Sequence, residues 1–341
     1  MRTGARIAAL GLLALALGGP AARAQTAEEF YRGRHVDLIV ATTPGGGVDL
    51  IARIFARAMP RYLPGNPTIT VKNMPGGGGI EAANFLYNVA PKDGSVFGMV
   101  LQGVAFLPLF GEKQARYDAT KFTWIGNANT ETGIFYVWHS SPVESVRDLM
   151  TREVPAAATD GGSATAFNYR ILNNLTGTKI KTITGYPGSN ESFLALERGE
   201  VEGFFSVWST LKGRGNLMRD HLVRPLVQVA MEKHPDLPDV PAAAELVKNE
   251  ADRAALALAV APTILSRPFV APPGLPPDRA KALRTAFLTA AKDKTLQEEA
   301  TKGGVEVAIF QGGEEMAAML KRFYATPPDV VARVAAMSKG N

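Results

Sequence analysis

The sequence contains no cysteine among its 341 residues. Disulfide bonds, thiolate metal sites and a cysteine nucleophile are therefore excluded, and the folded state has to be stabilised by its core. Histidine is scarce as well, and the four histidines are His35, His139, His221 and His234. They lie too far apart for metal-ligand spacing, and none accompanies a nucleophile elbow. We therefore predict no metal site, no cofactor and no catalytic residue.

A strong excess of one charge is also missing. The whole sequence has 37 basic and 32 acidic residues, a formal net charge of +5. Arg2, Arg6 and Arg23 lie in the first 24 residues, which contain no acidic residue, so the remainder has a net charge of only +2. Nucleic-acid-binding domains usually carry a clustered basic surface, and this balance does not support a nucleic-acid partner.

Apolar runs long enough to span a membrane are absent, and the longest one lies at the amino terminus. Arg2 and Arg6 precede an apolar run at 7–17, and Ala22–Ala24 fits the small-x-small pattern of a cleavage site. The run is short for a bilayer span. We expect residues 1–24 to be a cleaved secretory signal, which would leave the chain from Gln25 onward in the periplasm. An uncleaved anchor is the alternative.

A glycine-rich turn near the start of the mature chain is the first candidate binding element. The apolar run at 36–40 predicts a buried strand, and the residues from Asp49 onward predict a helix. The turn between them contains Thr42, Thr43, Gly45 and Gly46. Free N–H groups and the positive end of the helix dipole converge at such a turn, which predicts an anion site. A tight turn without a ligand is the alternative.

A second glycine-rich turn follows the next strand. It contains Asn73, Gly76 and Gly77, after a β-type run at 68–72 and before a helical pattern. A third strand at 96–101 ends beside Gln102. Because the carboxyl ends of parallel strands meet at one edge of a sheet, both turns and Gln102 are expected to lie side by side.

The middle of the chain repeats this design with hydroxyl groups in the turn. A strand at 154–158 leads into Thr159, Gly161, Ser163 and Ala164. The next strand, 179–185, leads into Tyr186, Gly188 and Ser189. Further strands are predicted at 134–138 and 223–230, and the segment at 199–205 is predicted to form a turn and a strand. A Ser/Thr helix cap with a purely structural role is the alternative for the first of these turns.

The last third of the sequence begins with a boundary. The proline-rich passage at 234–241 is interpreted as a crossover, and 266–271 as a strand that returns to the first domain. The remainder is predicted to be mostly helical. Helix starts are indicated at Asp278, Gly313 with Glu314, and Asp329.

Taken together, these motifs resemble the periplasmic receptors of tripartite tricarboxylate transporters, also called Bug receptors. The resemblance covers nearly all of residues 30–340. It rests on the following residues: Pro44, Gly45, Gly46, Asp49 and Arg53; Asn73, Pro75, Gly76, Gly77 and Gly79; Pro91, Asp93 and Gly94; Tyr186, Gly188 and Ser189; Gly199–Gly203; Pro235, Leu237, Pro238, Val240, Pro241 and Glu245; Ala271, Pro272 and Gly274.

The resemblance implies an α/β protein with the bilobed type II periplasmic-binding-protein fold. Two doubly wound α/β domains would be joined by crossover strands. The expected division is 25–126 plus 230–341 for domain 1, and 127–229 for domain 2.

It also implies a function and a site. Such receptors close on a small carboxylate solute, held by backbone amides, hydroxyls and waters, and deliver it to the transporter's membrane permease. A monomer is the default expectation. Where many relatives carry an aspartate, this chain has Glu202. The candidate ligand-binding residues are Thr42, Thr43, Gly45, Gly46, Asp49, Asn73, Gly76, Gly77, Gln102, Thr159, Gly161, Ser163, Ala164, Tyr186, Gly188, Ser189 and Glu202.

Two other hypotheses stay open at this point. One is an exported enzyme that uses the glycine turns for a dinucleotide or an anionic substrate, although the first turn lacks the full Rossmann spacing. The other is a receptor that presents its ligand to a sensor kinase. The aromatic residues Phe204, Phe205 and Trp208 either line a bulky pocket or pack a strand face.

Overall fold

The computed structural model describes residues 25–159, 161 and 163–339. The expected signal segment, 1–24, lies outside the described residues. In chain order the strands are β1 (His35–Val40), β2 (Thr68–Asn73), β3 (Val96–Met99), β4 (Thr123–Asn127), β5 (Gly133–Trp138), β6 (Val154–Ala157), β7 (Ile180–Ile183), β8 (Gly203–Val207), β9 (Val223–Val229), β10 (Pro268–Ala271) and β11 (Gln311–Gly312).

Helices cover both faces of the sheets that these strands form. In chain order they are α1 (Ala27–Tyr31), α2 (Gly47–Ala58), α3 (Ile80–Asn88), α4 (Val146–Thr151), α5 (Ala164–Thr176), α6 (Ser189–Glu197), α7 (Trp208–Gly213), α8 (Asn216–Arg219), α9 (Glu250–Ile264), α10 (Pro277–Ala291), α11 (Lys294–Lys302), α12 (Gly313–Tyr324) and α13 (Pro328–Lys339). A membrane-spanning helix would have to be longer and more apolar than any in this described part of the chain.

The first sheet has six strands in the order β11-β4-β10-β3-β1-β2. Strands β1, β2 and β3 are parallel, so the turns that follow them lie at one edge. Strand β10 is antiparallel to β3 and β4, which brings Asn127, the last residue of β4, to that same edge. The predicted neighbourhood of the two glycine turns and Gln102 is therefore a consequence of the strand order.

The second sheet has five strands in the order β7-β6-β8-β5-β9. Strand β6 is parallel to β7 and β8, whereas β5 is antiparallel to β8 and β9. Gly133 at the start of β5 pairs with Val207 at the end of β8. The short segment between Asn127 and Gly133 thus joins the carboxyl-end edge of one sheet to that of the other, and the two edges face a common cleft.

A buried asparagine ties the two connections between the sheets together. The Asn127 amide donates to the Asn129 carbonyl (2.7 Å) and to the Ile264 carbonyl (2.8 Å). Its Oδ1 accepts from the Arg267 N–H (2.8 Å). Since Asn127 is fully buried, these bonds fix the outgoing segment at 128–132 against the returning segment at 264–267.

Apolar packing on one side of the molecule is continuous across both sheets. Helices α9 and α13 pack against each other and against α5 of the second sheet. Leu256 and Val334 on these helices belong to the same buried cluster as Trp124 of the first sheet and Phe135 of the second. The opposite faces have separate clusters around Phe55 and Phe204. The cleft therefore opens on the side where the lobes do not share a core.

Most predicted elements are present, with ends that differ by a few residues. The helix starts predicted near Asp278, Gly313 and Asp329 are confirmed by α10, α12 and α13. Helix α9 was not predicted. Its residues 258–261 are all buried, because it packs between the two lobes, and it therefore lacks the one-sided apolar period that marks a surface helix.

A buried tyrosine hydroxyl supplies a test of the second sheet. Tyr169 Oη donates to the Ala157 carbonyl (2.7 Å) and accepts from the Phe205 N–H (3.2 Å), which joins β6 to β8. Tyr169→Phe leaves both backbone groups unsatisfied, and we expect it to lower the free energy of unfolding by about 1–3 kcal/mol. Urea denaturation checks this. Tyr87→Phe is the control, since the Tyr87 hydroxyl has no described hydrogen bond, and equal effects of the two substitutions would contradict the account.

Candidate ligand-binding site

The first glycine turn begins helix α2. Gly46 is the N-cap residue, with φ −81° and ψ 169°, and no side chain caps the helix. Gly45 has φ 92°, a conformation that favours glycine. The first N–H groups of a helix have no partner within it, and Thr43, Gly45 and Gly46 are exposed. Helix α2 therefore presents its positive end to the cleft.

A buried carboxylate holds this turn in place. Asp49 Oδ2 accepts from the Gly45 N–H (2.9 Å) and from Arg53 Nε (2.8 Å). Its Oδ1 accepts from Arg53 Nη2 (3.0 Å) and from Asn73 Nδ2 (2.8 Å). All four bonds are made within the protein, so the Asp49 carboxylate is a brace beneath the turn and not a free group facing a solute.

Asn73 connects the first turn to the second. Its Nδ2 also donates to the Thr42 carbonyl (2.8 Å), and its Oδ1 accepts from Arg53 Nη2 (3.1 Å). Asn73 is the last residue of β2, so its side chain reaches back across the strand end to β1. The two glycine turns are consequently held at a fixed separation by side chains rather than by the sheet alone.

The ionisation of Asp49 reflects this network. Burial acts to raise the pKa of its carboxyl, but the hydrogen bonds from Arg53, Gly45 and Asn73 outweigh it and lower the pKa from 3.8 to about 2. Asp49 is only 2% exposed. The charge is thus present and neutralised by Arg53 at neutral pH, which removes the repulsion that a carboxylate ligand would otherwise meet.

An unpartnered hydroxyl lies in the same turn. Thr42 Oγ1 is buried and has no hydrogen-bond partner among the described residues. A buried hydroxyl without a partner costs stability, commonly about 1–3 kcal/mol. Thr42 therefore offers a hydrogen bond that a bound molecule can make.

The second glycine turn is shaped by backbone conformations that favour glycine. Gly76, Gly77, Gly78 and Gly79 all have positive φ, from 53° to 149°. The carboxyl group of Glu81 lies against Gly76 so closely that a Cβ there would overlap it. The chain's own acidic side chain thus covers part of this turn.

In the second lobe, the turn after β6 caps helix α5. Ser163 Oγ accepts from the Ala166 N–H (3.2 Å), which is the structural cap weighed as an alternative in the sequence. Arg170 Nη1 donates to the Gly161 carbonyl (2.6 Å), and its Nη2 donates to the Ser338 carbonyl (3.2 Å) of α13. Gly161 and Ala164 are exposed, so the backbone of this turn still faces solvent.

The turn after β7 lies beside it. The Gly185 N–H donates to the Thr159 carbonyl (3.1 Å), which links the two turns. Gly188 is the N-cap of α6 and has no side-chain cap, while Ser189 is exposed and Tyr186 half-buried. Both second-lobe turns therefore lie at the same edge, and they present helix amino ends as the first-lobe turn does.

Glu202 is not brought to this edge. It precedes β8, and its N–H donates to the Pro155 carbonyl at the start of β6, which is the amino end of both strands. Its carboxylate forms a two-point ion pair with Arg152 (2.9 and 2.7 Å) and accepts from Ser141 Oγ (3.0 Å). The structure thus assigns Glu202 to an ion pair at the far edge, away from the turns with which it was grouped.

The structure places Gln102 and the three aromatic residues of the second lobe in different surroundings. Gln102 follows β3 at the cleft edge and is half-buried, with no described side-chain hydrogen bond. Phe204 and Phe205 are packed in two different clusters on opposite faces of the second sheet. Trp208 is 7% exposed, and its Nε1 donates to Asp236 Oδ2 (3.1 Å). The prediction that these residues pack a strand face is therefore correct for the two phenylalanines, whereas Trp208 borders the cleft.

A cavity of about 220 Å³ in the cleft was not predicted. Its wall comes from four separate segments of the chain, so no local pattern indicates it. The residues that supply its polar and charged groups include Asn129, Glu131, Ser209, Lys212, Asp236 and Glu306.

The two sheets and the segments that connect them form the α/β fold seen in the structures of periplasmic solute-binding proteins. The sequence model described as "Tripartite tricarboxylate transporter family receptor" matches residues 51–321, and the chain belongs to that family. Its members are solute-binding receptors of the periplasm.

Two further proteins are similar to this chain over part of its length. A protein encoded in the tcbD–tcbE intergenic region of Pseudomonas sp. (strain P51) is 26% identical over 68% of this chain and 69% of its own length. A protein from the gbd 5′ region of Cupriavidus necator is 30% identical over 54% of this chain and 57% of its own.

Solved structures share the fold at lower identity. A TctC solute-binding protein from Polaromonas, without ligand, has a TM-score of 0.71 at 19% identity, covering 89% of this chain and 99% of its own. MatC from Rhodopseudomonas palustris, with bound malate, has a TM-score of 0.58 at 21% identity, with 87% and 99% covered. Another R. palustris protein, with adipate, gives 0.59 at 22%, with 89% and 97% covered.

The brace at Asp49 yields a prediction about pH. Its lowered pKa contributes stability that is present above the unfolded value of 3.8 and is lost as the pH falls towards about 2. We expect Asp49→Asn to lower the free energy of unfolding by about 2 kcal/mol at neutral pH. The difference in the free energy of unfolding between Asp49→Asn and the unsubstituted protein should shrink below about pH 4. Urea titrations at several pH values measure it, and a gap that persists unchanged into acid would contradict the brace.

Proposed function

We propose that this receptor captures a small carboxylate solute in the cleft between its lobes and delivers it to a permease of the tripartite tricarboxylate transporter type. In this proposal 25–126 plus 230–341 form one lobe and 127–229 the other, and the chain acts in the periplasm after residues 1–24 are removed. The observation that carries the proposal is the exposed, uncapped amino end of α2, held rigid by the Asp49 brace.

The chemistry of the cleft suits an anion, and the relatives with bound ligands favour a carboxylate among the anions. The amino ends of α2, α5 and α6 offer backbone N–H groups, and the Thr42 hydroxyl adds a donor without a partner. The described residues contain no cluster of metal-ligating side chains. Relatives with this fold hold malate and adipate, which supports the same ligand class here.

Closure of the lobes would follow from contacts that the ligand makes to both. A solute that touches the α2 turn and the second-lobe turns binds the closed state more tightly, so it shifts the population towards closure. The shared core around α9 and α13 keeps one side of the molecule together. The two connecting segments that Asn127 holds together, 128–132 and 264–267, then act jointly as the hinge, and the permease recognises the closed shape.

A thermal-shift screen tests the proposal. The chain from Gln25 onward is mixed with malate, adipate, succinate, aspartate and benzoate, with nicotinamide and adenine nucleotides as the contrasting class. A ligand at a hundredfold excess over its dissociation constant adds about 2.7 kcal/mol of stability. We expect a rise in the melting temperature with at least one carboxylate and none with nucleotides. A rise with nucleotides alone would overturn the proposal in favour of an enzyme.

Substitution of Gly46 tests the position of the site. A Cβ at Gly46 would meet nothing within 4 Å, and its φ of −81° suits any residue. We therefore expect Gly46→Leu to fold with an unchanged melting temperature and to lose at least tenfold in affinity for the carboxylate that the screen identifies. Gly46→Ala should lose less, because its side chain is smaller. Unchanged affinity in Gly46→Leu, measured by calorimetry, would remove this turn from the site.

A further inference from the structure

The cavity in the cleft lies next to the glycine turn. Its wall includes the crossover segment at Asn129–Thr132, helix α7 and the segment at 306–309. The side chain of Val305 lies 3.4 Å from where a Cβ on Gly47 would be. Glu306 follows Val305 and lines the cavity, so the segment that forms this part of the wall also packs against the first residue of α2.

The cavity is negatively charged. The carboxylates of Glu131, Asp236 and Glu306 line it, against the single ammonium of Lys212. His234 also lines the cavity, and its Nδ1 accepts a hydrogen bond from the Asp236 N–H (3.1 Å). The lining therefore repels an anionic group and attracts a cationic one.

Lys212 does not neutralise Glu131, which is the buried one of the three carboxylates that line the cavity. Its Nζ lies 3.1 Å from Asp236 Oδ2 and 3.8 Å from Glu306 Oε1, which places it between those two carboxylates. It forms no ion pair with Glu131 within 4 Å among the described residues. Lys212, the ammonium group of the lining, therefore interacts with Asp236 and Glu306 and not with Glu131.

Glu131 is the carboxylate of the cavity that has no ion-pair partner within 4 Å among the described residues. It is 8% exposed, and its Oε1 accepts from Ser209 Oγ (2.8 Å) and Asn129 Nδ2 (3.2 Å). No described residue donates to its Oε2. Arg267 is attracted to Glu131 but forms no ion pair with it within 4 Å in the described part of the chain. Oε2 is open to solvent, since it is not one of the fully buried polar atoms that lack a partner in the described part of the chain, and a charged donor that enters the cavity can therefore bond to it.

We infer that the Glu131 cavity receives the protonated amino group of a solute whose carboxylate is held at the α2 turn. This inference rests on the proposed function and names its substrate class, an amino-carboxylate. Glu131 Oε2 accepts a hydrogen bond from the ammonium, and Asp236 and Glu306 supply the surrounding negative charge. A dicarboxylate that extends into the cavity would place its second carboxylate against the same groups.

Matched ligand pairs test this directly in the unsubstituted chain. Aspartate differs from succinate by an added amino group, and 6-aminohexanoate carries an ammonium group where adipate carries its second carboxylate. Isothermal titration should show that at least one amino-carboxylate binds at least tenfold more tightly than its partner. Equal or weaker binding of both amino-carboxylates, while succinate or adipate binds, would overturn the inference and leave the proposed function standing.

Glu131→Gln assigns the preference to this residue. The glutamine keeps an oxygen that can accept from Ser209 and Asn129 but removes the charge. We expect at least a tenfold loss of affinity for the amino-carboxylate and less than a threefold change for its partner. Glu315→Gln removes the same charge from an exposed position in α12 and should alter neither.

The outcomes separate the two claims. An amino-carboxylate preference that survives in Glu131→Gln, with an unchanged melting temperature of the free protein, would overturn the role of Glu131. If the variant does not fold, the ligand pairs in the unsubstituted chain still decide the substrate class. Binding of no carboxylate of either kind would defeat the proposed function and the inference with it.

Discussion

The Asp49 carboxylate is the interaction on which the binding edge depends. It accepts four hydrogen bonds from Gly45, Arg53 and Asn73, and each of these partners fixes a different part of the edge. Gly45 sets the turn before α2, Arg53 neutralises the buried charge, and Asn73 brings the second glycine turn alongside the first. Without this network, the turn before α2 would lose the hydrogen bonds that hold it to the first turn of the helix and to Asn73. A rigid array of donors binds an anion with less loss of conformational entropy than a loop that must first be ordered.

The arrangement of the two sheets makes this edge one wall of a cleft. Asn127 is buried where the first sheet passes into the second, and its amide group bonds both connecting segments. The core around α9 and α13 joins the lobes on one side only. The other side holds ion pairs such as that of Lys212 with Glu306, which can separate at modest cost because both groups are partly exposed. The molecule is thus built to open on the side where its binding groups face each other.

The sequence predicted the parts of this account that depend on local pattern. A strand, a glycine turn and a helix can be read from neighbouring residues, and so can the helix start at Gly313 or the Ser163 cap. Strand order also predicted that the first-lobe turns lie side by side, but the partners of individual side chains from distant segments were not predicted. Glu202 was placed with the ligand turns by resemblance, whereas its ion pair with Arg152, 50 residues away, holds it at the opposite edge. Glu131 was missed because Ser209 and Asp236 reach its cavity through the tertiary fold.

The central claim is that the two sets of helix amino ends, one in each lobe, bind the same solute. The most direct measurement is a titration of isotope-labelled protein with malate, followed through the backbone amide signals in NMR spectra. With malate, or with whichever carboxylate the thermal-shift screen shows to bind more tightly, we expect the largest shifts in the α2 turn, at Gly45–Gly47, and in the second-lobe turns around Gly161 and Gly188. Shifts confined to one lobe, or centred on the far edge around Glu202, would contradict the claim.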